Sequence, residues 1–197
     1  MNYPDKLRQL DGWFADGVAV AGPGVVLCQR GCTACCHGPF DISPADARLV
    51  AGGVARLDPE TQTAVRSRAR DQVARYGDAA PTWRAPWDVD ELGEEQFDQV
   101  SEGLAALPCP ALGDGGSCLI YSDRPATCRI IGLPMITLDG GVLENACPIR
   151  HTSRQYDALE PTPFDLARFE SGADADDAAA RLEGWVTTTV AGAILHR

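Results

Sequence analysis

The sequence predicts a mainly α-helical domain with one small β-hairpin, in which irregular cysteine-rich loops converge on a metal site. Three observations predict it. Apolar residues recur at helical spacing behind Ser-Pro and Asp-Pro start signals. One Asp-Gly-Gly turn divides two short apolar runs. Eight cysteines gather rather than scatter, four of them (Cys28, Cys32, Cys35 and Cys36) within nine residues. With 197 residues, 45% hydrophobic and 23% charged, the chain suits one domain with a core of its own, which excludes disorder, a repeat array and a fibre.

Residues 4–15 predict a short amphipathic helix carrying Leu7, Leu10, Trp13 and Phe14. Gly22-Pro23-Gly24 then breaks the chain, and Val25-Val26-Leu27 leads into the first cysteine cluster. Ser43-Pro44, with Asp46 in the first turn, starts a helix continued by Ala47, Val50, Val54 and Leu57. Asp58-Pro59-Glu60 repeats the signal ahead of Val65, Ala69, Val73 and Tyr76, with Gly77 as the expected C-cap. Residues 78–92, rich in Pro, Asp and Trp, read as a loop, and 93–106 as a further helix ending before Pro108-Cys109-Pro110. Asp139-Gly140-Gly141 joins 135–138 to 142–145 in the hairpin. A last helix is expected over 175–195, with Leu182, Val186, Val190 and Ile194 on one face. No linker interrupts the chain, so residues 1–197 are expected to form a single domain.

Net charge is −11, from 17 basic and 28 acidic residues, and Lys6 is the only lysine. With no basic stripe, such a chain is repelled by phosphate backbones and anionic bilayers, so neither nucleic acid nor membrane is an expected partner. Asp88, Asp90, Glu91, Glu94, Glu95 and Asp98 read as a solvated surface. No basic stretch followed by an apolar core resembles an export signal, and the apolar run at 185–195 is too short for a membrane span. A cytoplasmic, reducing location is therefore expected, where cysteines stay reduced and favour metal over disulfides.

Thiolates are soft anionic donors for zinc or iron–sulfur clusters. Close spacing between Cys28 and Cys36 lets several sulfurs converge at small loop-closure cost, and Gly31 gives backbone freedom at the bend. Cys109, Cys118, Cys128 and Cys147 follow with eight, nine and eighteen residues between them, unlike the paired short spacings of structural zinc modules. That spacing favours iron–sulfur, with zinc the alternative. Adjacent sulfurs at Cys35 and Cys36 do not easily serve one small ion, so the eight thiolates hold either two four-ligand sites or one cluster with bystanders. His37 and His151 follow cysteines closely and are candidates to complete a coordination shell or to stand behind it. Arg30, Arg124, Arg129 and Arg150 lie near cysteines in sequence, where guanidinium groups offset the negative charge of thiolate-bound metal.

Cys32-Thr-Ala-Cys35-Cys36 followed by Ile42-Ser43-Pro44-Ala45-Asp46, then Cys109-Pro110-Ala-Leu112, and Cys118-Leu-Ile-Tyr121-Ser-Asp-Arg124-Pro125-Ala-Thr-Cys128-Arg129, resemble the YkgJ-type cysteine-cluster proteins. These carry the CxxCxxCC domain, to which zinc or iron chelation is ascribed. The resemblance spans about residues 25–150 and implies a metal-chelating, bacterial, cytosolic protein. It carries over to Cys32, Cys35, Cys36, Cys109, Cys118 and Cys128. Cys28 departs from it because three residues, not two, separate it from Cys32, so Cys28 and Cys147 rest on local reasoning. Arg124-Pro125 is expected to open a helical turn that places Cys128 on the side of Arg124, with Ile120 and Tyr121 packed behind the ligands.

Three function classes are compatible with these residues. The leading one is a protein holding an iron–sulfur cluster or zinc through its thiolates. A redox or radical S-adenosylmethionine enzyme is suggested by the Cys28-x3-Cys32-x2-Cys35 spacing, although Ala34 stands where that signature has an aromatic and no alternating strand–helix pattern accompanies it. The third is metal handling or redox sensing through exposed thiolates. No hydrolase triad or phosphate-cradling glycine loop is present.

Overall fold

The computed structural model describes residues 2–28 and 31–196, and the protein is mainly helical with a few small strands. In chain order its elements are α1 (Tyr3–Ala21), β1 (Asp41–Ile42), α2 (Pro44–Ala55), α3 (Pro59–Ala79), α4 (Val89–Leu92) and α5 (Glu94–Gly103). Then come α6 (Thr127–Ile130), β2 (Met135–Thr137), β3 (Val142–Leu143), α7 (Arg154–Asp157), β4 (Thr162–Phe164), α8 (Leu166–Leu182), β5 (Thr188–Thr189) and α9 (Val190–Leu195). The chain divides into two compact units, one of residues 1–35 and 126–176, the other of 36–125 and 177–197.

In the first unit α1 begins where the Asn2 side chain accepts from the Asp5 N–H and ends at Gly22, whose φ of 91° suits glycine. The helix is longer than the predicted 4–15, because Gly17 to Ala21 carry small or apolar side chains that continue it until Gly22 stops it. Its buried face carries Leu7, Leu10 and Trp13, and Trp13 packs against Met135 and Phe164 of a three-stranded sheet of order β3-β2-β4. The expected hairpin is there, with Met135 opposite Leu143 and Ile136 opposite Val142, and β4 adds a parallel strand on the other side. Trp13, Leu133 and Met135 form the core, backed by Phe14, Val26, Ile130 and Phe164.

The second unit is built on α2, α3 and α9. Ser43 and Asp58 cap α2 and α3 as their sequences predict, each accepting a backbone N–H three residues on. Ala191, Gly192 and Ala193 keep α9 slim, so it packs against both α2 and α3. Val50, Val54, Val65, Ala69, Ala111, Ile120 and Ile194 fill the space between them. A second aromatic cluster stacks Trp83 on Tyr76, with ring centroids 4.9 Å apart, beside Phe97 and Val100.

Three expectations are corrected. Gly77 does not end α3, which runs on to Ala79 because nothing at Gly77 forces positive φ. The 78–92 segment is not all loop: Asp88 accepts from the Asp90 N–H and starts the short α4. The predicted helix over 175–195 is in fact the end of α8, a break at Gly184 (φ 92°), the strand β5 and then α9. Leu182 is 91% exposed rather than on a shared buried face. The β-branched run Thr187-Thr188-Thr189 is responsible, since Thr188 donates to the Pro86 and Trp87 carbonyls and Thr189 caps α9. No described helix is long and apolar enough to cross a membrane.

Candidate metal centre

The thiols divide between the two units. Cys36, Cys109 and Cys118 belong to the second, and Cys28, Cys32, Cys35, Cys128 and Cys147 to the first. The division falls between the adjacent Cys35 and Cys36.

In the second unit the backbone ties together three cysteine segments that are remote in sequence. The Cys109 N–H donates to the Cys36 carbonyl at 2.9 Å, the Gly38 N–H donates to the Leu107 carbonyl, and His37 pairs with Pro108 as an isolated bridge. After Cys109 the chain doubles back. Leu112 pairs with Cys118, the Leu119 N–H donates to the Ala111 carbonyl, and Cys118 returns beside the Cys109 loop. Both of these half-buried thiols pack on the main core of the unit. Pro108-Cys109-Pro110 is gripped from α3, where Arg68 Nε donates to the Pro110 carbonyl at 2.9 Å and Gln72 Nε2 makes a long 3.5 Å bond to the Pro108 carbonyl.

The electrostatics of this pair set burial, which favours the neutral thiol, against local donors that favour the thiolate. Burial pushes the Cys109 thiol up to about 11, and the charge of Cys118 adds to the shift. The backbone N–H groups of Ala111 and Leu112 and the charge of Arg68 work the other way, favouring the thiolate. Cys118 is likewise raised by burial, while the Ile120 N–H and Arg124 favour its thiolate. Backbone donors two and three residues beyond a cysteine turn the loop around its sulfur, which suits a thiolate that holds a metal.

In the first unit Gly132 is the meeting point. Its N–H donates to the Asn145 carbonyl at 2.7 Å, two residues before Cys147, and it lies four residues after Cys128 on the exit from α6. A Cβ at Gly132 would stand 3.3 Å from the Cys28 Cβ, and φ there is 105°, so only glycine lets the three segments close up. Cys147 is buried and its N–H donates to the Tyr156 hydroxyl at 3.0 Å. Burial raises the pKa of that hydroxyl, and the charges of Cys147 and Cys28 raise it further. Cys28 is exposed, while Cys32, Cys35 and Cys128 are half-buried.

Among the described residues no three His, Cys, Asp or Glu side chains are grouped as an ion would need. The backbones converge, while the side chains are not drawn onto a common point. Among the described residues, the buried N–H donors Arg68 Nη2 in the second unit and Asn145 Nδ2 in the first are nevertheless left without partners. Arg68 acts electrostatically on Cys109, so its free N–H suits an anionic sulfur there, while Asn145 stands two residues before Cys147 in the chain.

The other predicted residues fall as follows. His37 and His151 are both exposed, His151 in a single 3-10 turn. Arg129 is buried and paired with Asp11 of α1. Arg124 lies 4.0 Å over the Tyr121 ring and donates to the Tyr121 carbonyl. Tyr121 is exposed, a correction to its expected packing, whereas Ile120 is buried as expected. Arg150 pairs with Glu144 at the surface. Arg30 lies outside the described residues. Sequence reasoning missed Arg68, Gln72, Asn145 and Tyr156. The first two carried a signal, as polar residues beside the Val65-Ala69-Tyr76 stripe of α3; Asn145 and Tyr156 carried none.

The model of the CxxCxxCC family, described as "Putative zinc- or iron-chelating domain", matches residues 27–148, a span that contains all eight cysteines. The chain belongs to this family. No curated protein and no solved structure matches the chain. Membership supports metal binding, and zinc or iron as the metal.

Proposed function

We propose that this CxxCxxCC protein holds an iron–sulfur cluster or zinc through its thiolates, as two centres, one in each unit. The observation that carries this reading is the backbone tying of distant cysteines, with N–H groups turned onto the sulfurs of Cys109 and Cys118. Cys28, Cys32, Cys35, Cys128 and Cys147 are the donors of one centre; Cys36, Cys109 and Cys118 are those of the other. The thiolates supply soft anionic ligands, the arginines and backbone donors offset their charge, and the flanking core limits water. A reducing cytoplasm suits such a protein. Metal analysis and the visible spectrum of anaerobically purified protein test the reading. Brown protein with iron and acid-labile sulfide supports the iron–sulfur form, colourless protein with stoichiometric zinc replaces it, and protein without metal overturns both.

Exposed Cys28 favours a second reading, metal handling, because an accessible thiolate is where an ion would be passed on. Chelator competition separates the two. A handling centre gives up its ion while the chain stays folded, whereas a structural centre resists and unfolds on loss.

A further inference from the structure

Arg68 sits on α3, half-buried, with its Nε donating to the Pro110 carbonyl at 2.9 Å. That bond sets the guanidinium next to Cys109 in the chain's most tightly held cysteine loop. Its Nη2 is shut away from water and has no hydrogen-bond partner. A buried cationic N–H left unsatisfied is costly, and folded proteins rarely retain one without a use. Gln72, one turn further along α3, already grips the other flank of the loop. Holding the loop therefore does not by itself require a cation at position 68. The two thiols draw on different cations: Arg124 favours the Cys118 thiolate against the opposing charge of Asp123, whereas the arginine whose charge favours the Cys109 thiolate is Arg68.

We infer that Arg68 is the buried counter-charge of the Cys109–Cys118 centre, its Nη2 donating to a metal-bound sulfur there. It is a positioning residue, not a ligand. The inference rests on the metal-binding reading above and adds the residue that lets two half-buried thiolates persist beside an apolar core. Two anionic sulfurs in such surroundings need positive charge within a few ångströms, and a planar guanidinium anchored through Nε leaves its outer nitrogen free to supply it.

Cobalt(II) titration of reduced, metal-free protein tests this, read by the cobalt–thiolate charge-transfer band and by circular dichroism. Arg68→Met is expected to weaken cobalt binding at this centre by roughly 10–100-fold and to shift the band, with helical content unchanged. Arg68→Lys, which keeps the charge, is expected to recover most of the affinity. In a Cys109→Ser/Cys118→Ser background, Arg68→Met is expected to have no further effect on binding. Unchanged affinity and band in Arg68→Met overturn the inference, as does an equal loss in Arg68→Met and Arg68→Lys, which would make the loop grip the whole role. If Arg68→Met does not fold, Arg68→Lys and the double-serine background decide between the same outcomes. Wild-type protein that binds neither cobalt nor zinc nor iron overturns the metal reading itself, a failure distinct from that of Arg68 alone.

Discussion

The two thiol sets are held in opposite ways. In the second unit the cysteines ride on a helical core: Cys109 and Cys118 lie against the side chains that join α2, α3 and α9, and α3 grips the loop between them. In the first unit they hang on irregular segments that meet at one glycine, with Cys28 exposed and Cys147 buried against Tyr156. The buried, unpartnered donor in each unit differs as well, a guanidinium N–H in the second and a neutral amide N–H in the first. The second set is thus backed by a packed core, and on the two-centre proposal the first is the one whose order should depend on bound metal, since a loop with few buried apolar contacts opens at little cost.

The largest expected effect follows directly. Removing metal with a chelator under reducing conditions is expected to abolish hydrogen-exchange protection across residues 22–28, 31–35 and 144–153, while α2, α3 and α9 keep theirs. Equal loss in both units would break the contrast. Next comes Ile194→Ala, which empties a fully buried position where α9 meets α3 and should cost ~2–5 kcal/mol in urea unfolding. A cost below ~1 kcal/mol would mean that α9 is not the keystone of the second unit.

The pH dependence is third. Burial holds the Cys109 thiol up to about 11, above the ordinary 9.0, so the unfolded chain gives up this proton first as pH rises. The metal-free protein thus keeps this contribution below pH 9 and loses it as pH climbs towards about 11, by at most ~3 kcal/mol, with Cys118 acting in the same direction. Thermal melts of metal-free protein across that range should show a falling Tm, and Cys109→Ser should flatten the fall. The smallest effect is that of Tyr156→Phe, which leaves the buried Cys147 N–H without an acceptor and should cost ~1–3 kcal/mol. That loss should also speed metal release from the first set only, as measured by chelator kinetics.

Helix starts were the most legible part of the fold, because Ser43-Pro44 and Asp58-Pro59 carry their capping chemistry within four residues. The hairpin was legible for the same reason: its turn residues lie at its tip. The C-terminal segment was not. Leu182, Val186, Val190 and Ile194 keep helical spacing on paper, but Thr188 between them bonds to Pro86 and Trp87 about a hundred residues away, which a local pattern does not contain. The cysteines identified the candidate site. Its supporting residues were less legible: Arg68 stood out only as a polar residue beside the apolar stripe of α3, and Asn145 and Tyr156 act through single contacts that no periodicity or spacing marks.

The grip of α3 on Pro108-Cys109-Pro110 is also a measuring device. Four residues of helix advance ~6 Å, so Arg68 and Gln72 reach the tripeptide about one helical turn apart. Arg68 and Gln72 therefore match the two proline carbonyls as two pegs match two holes. The prolines offer no N–H of their own, which leaves the Cys109 N–H, spent on Cys36, as the one backbone donor of the tripeptide. A residue added or removed between the prolines would put the pegs out of step with the holes. The length of this tripeptide is thus a constraint on the protein separate from the chemistry of its cysteine.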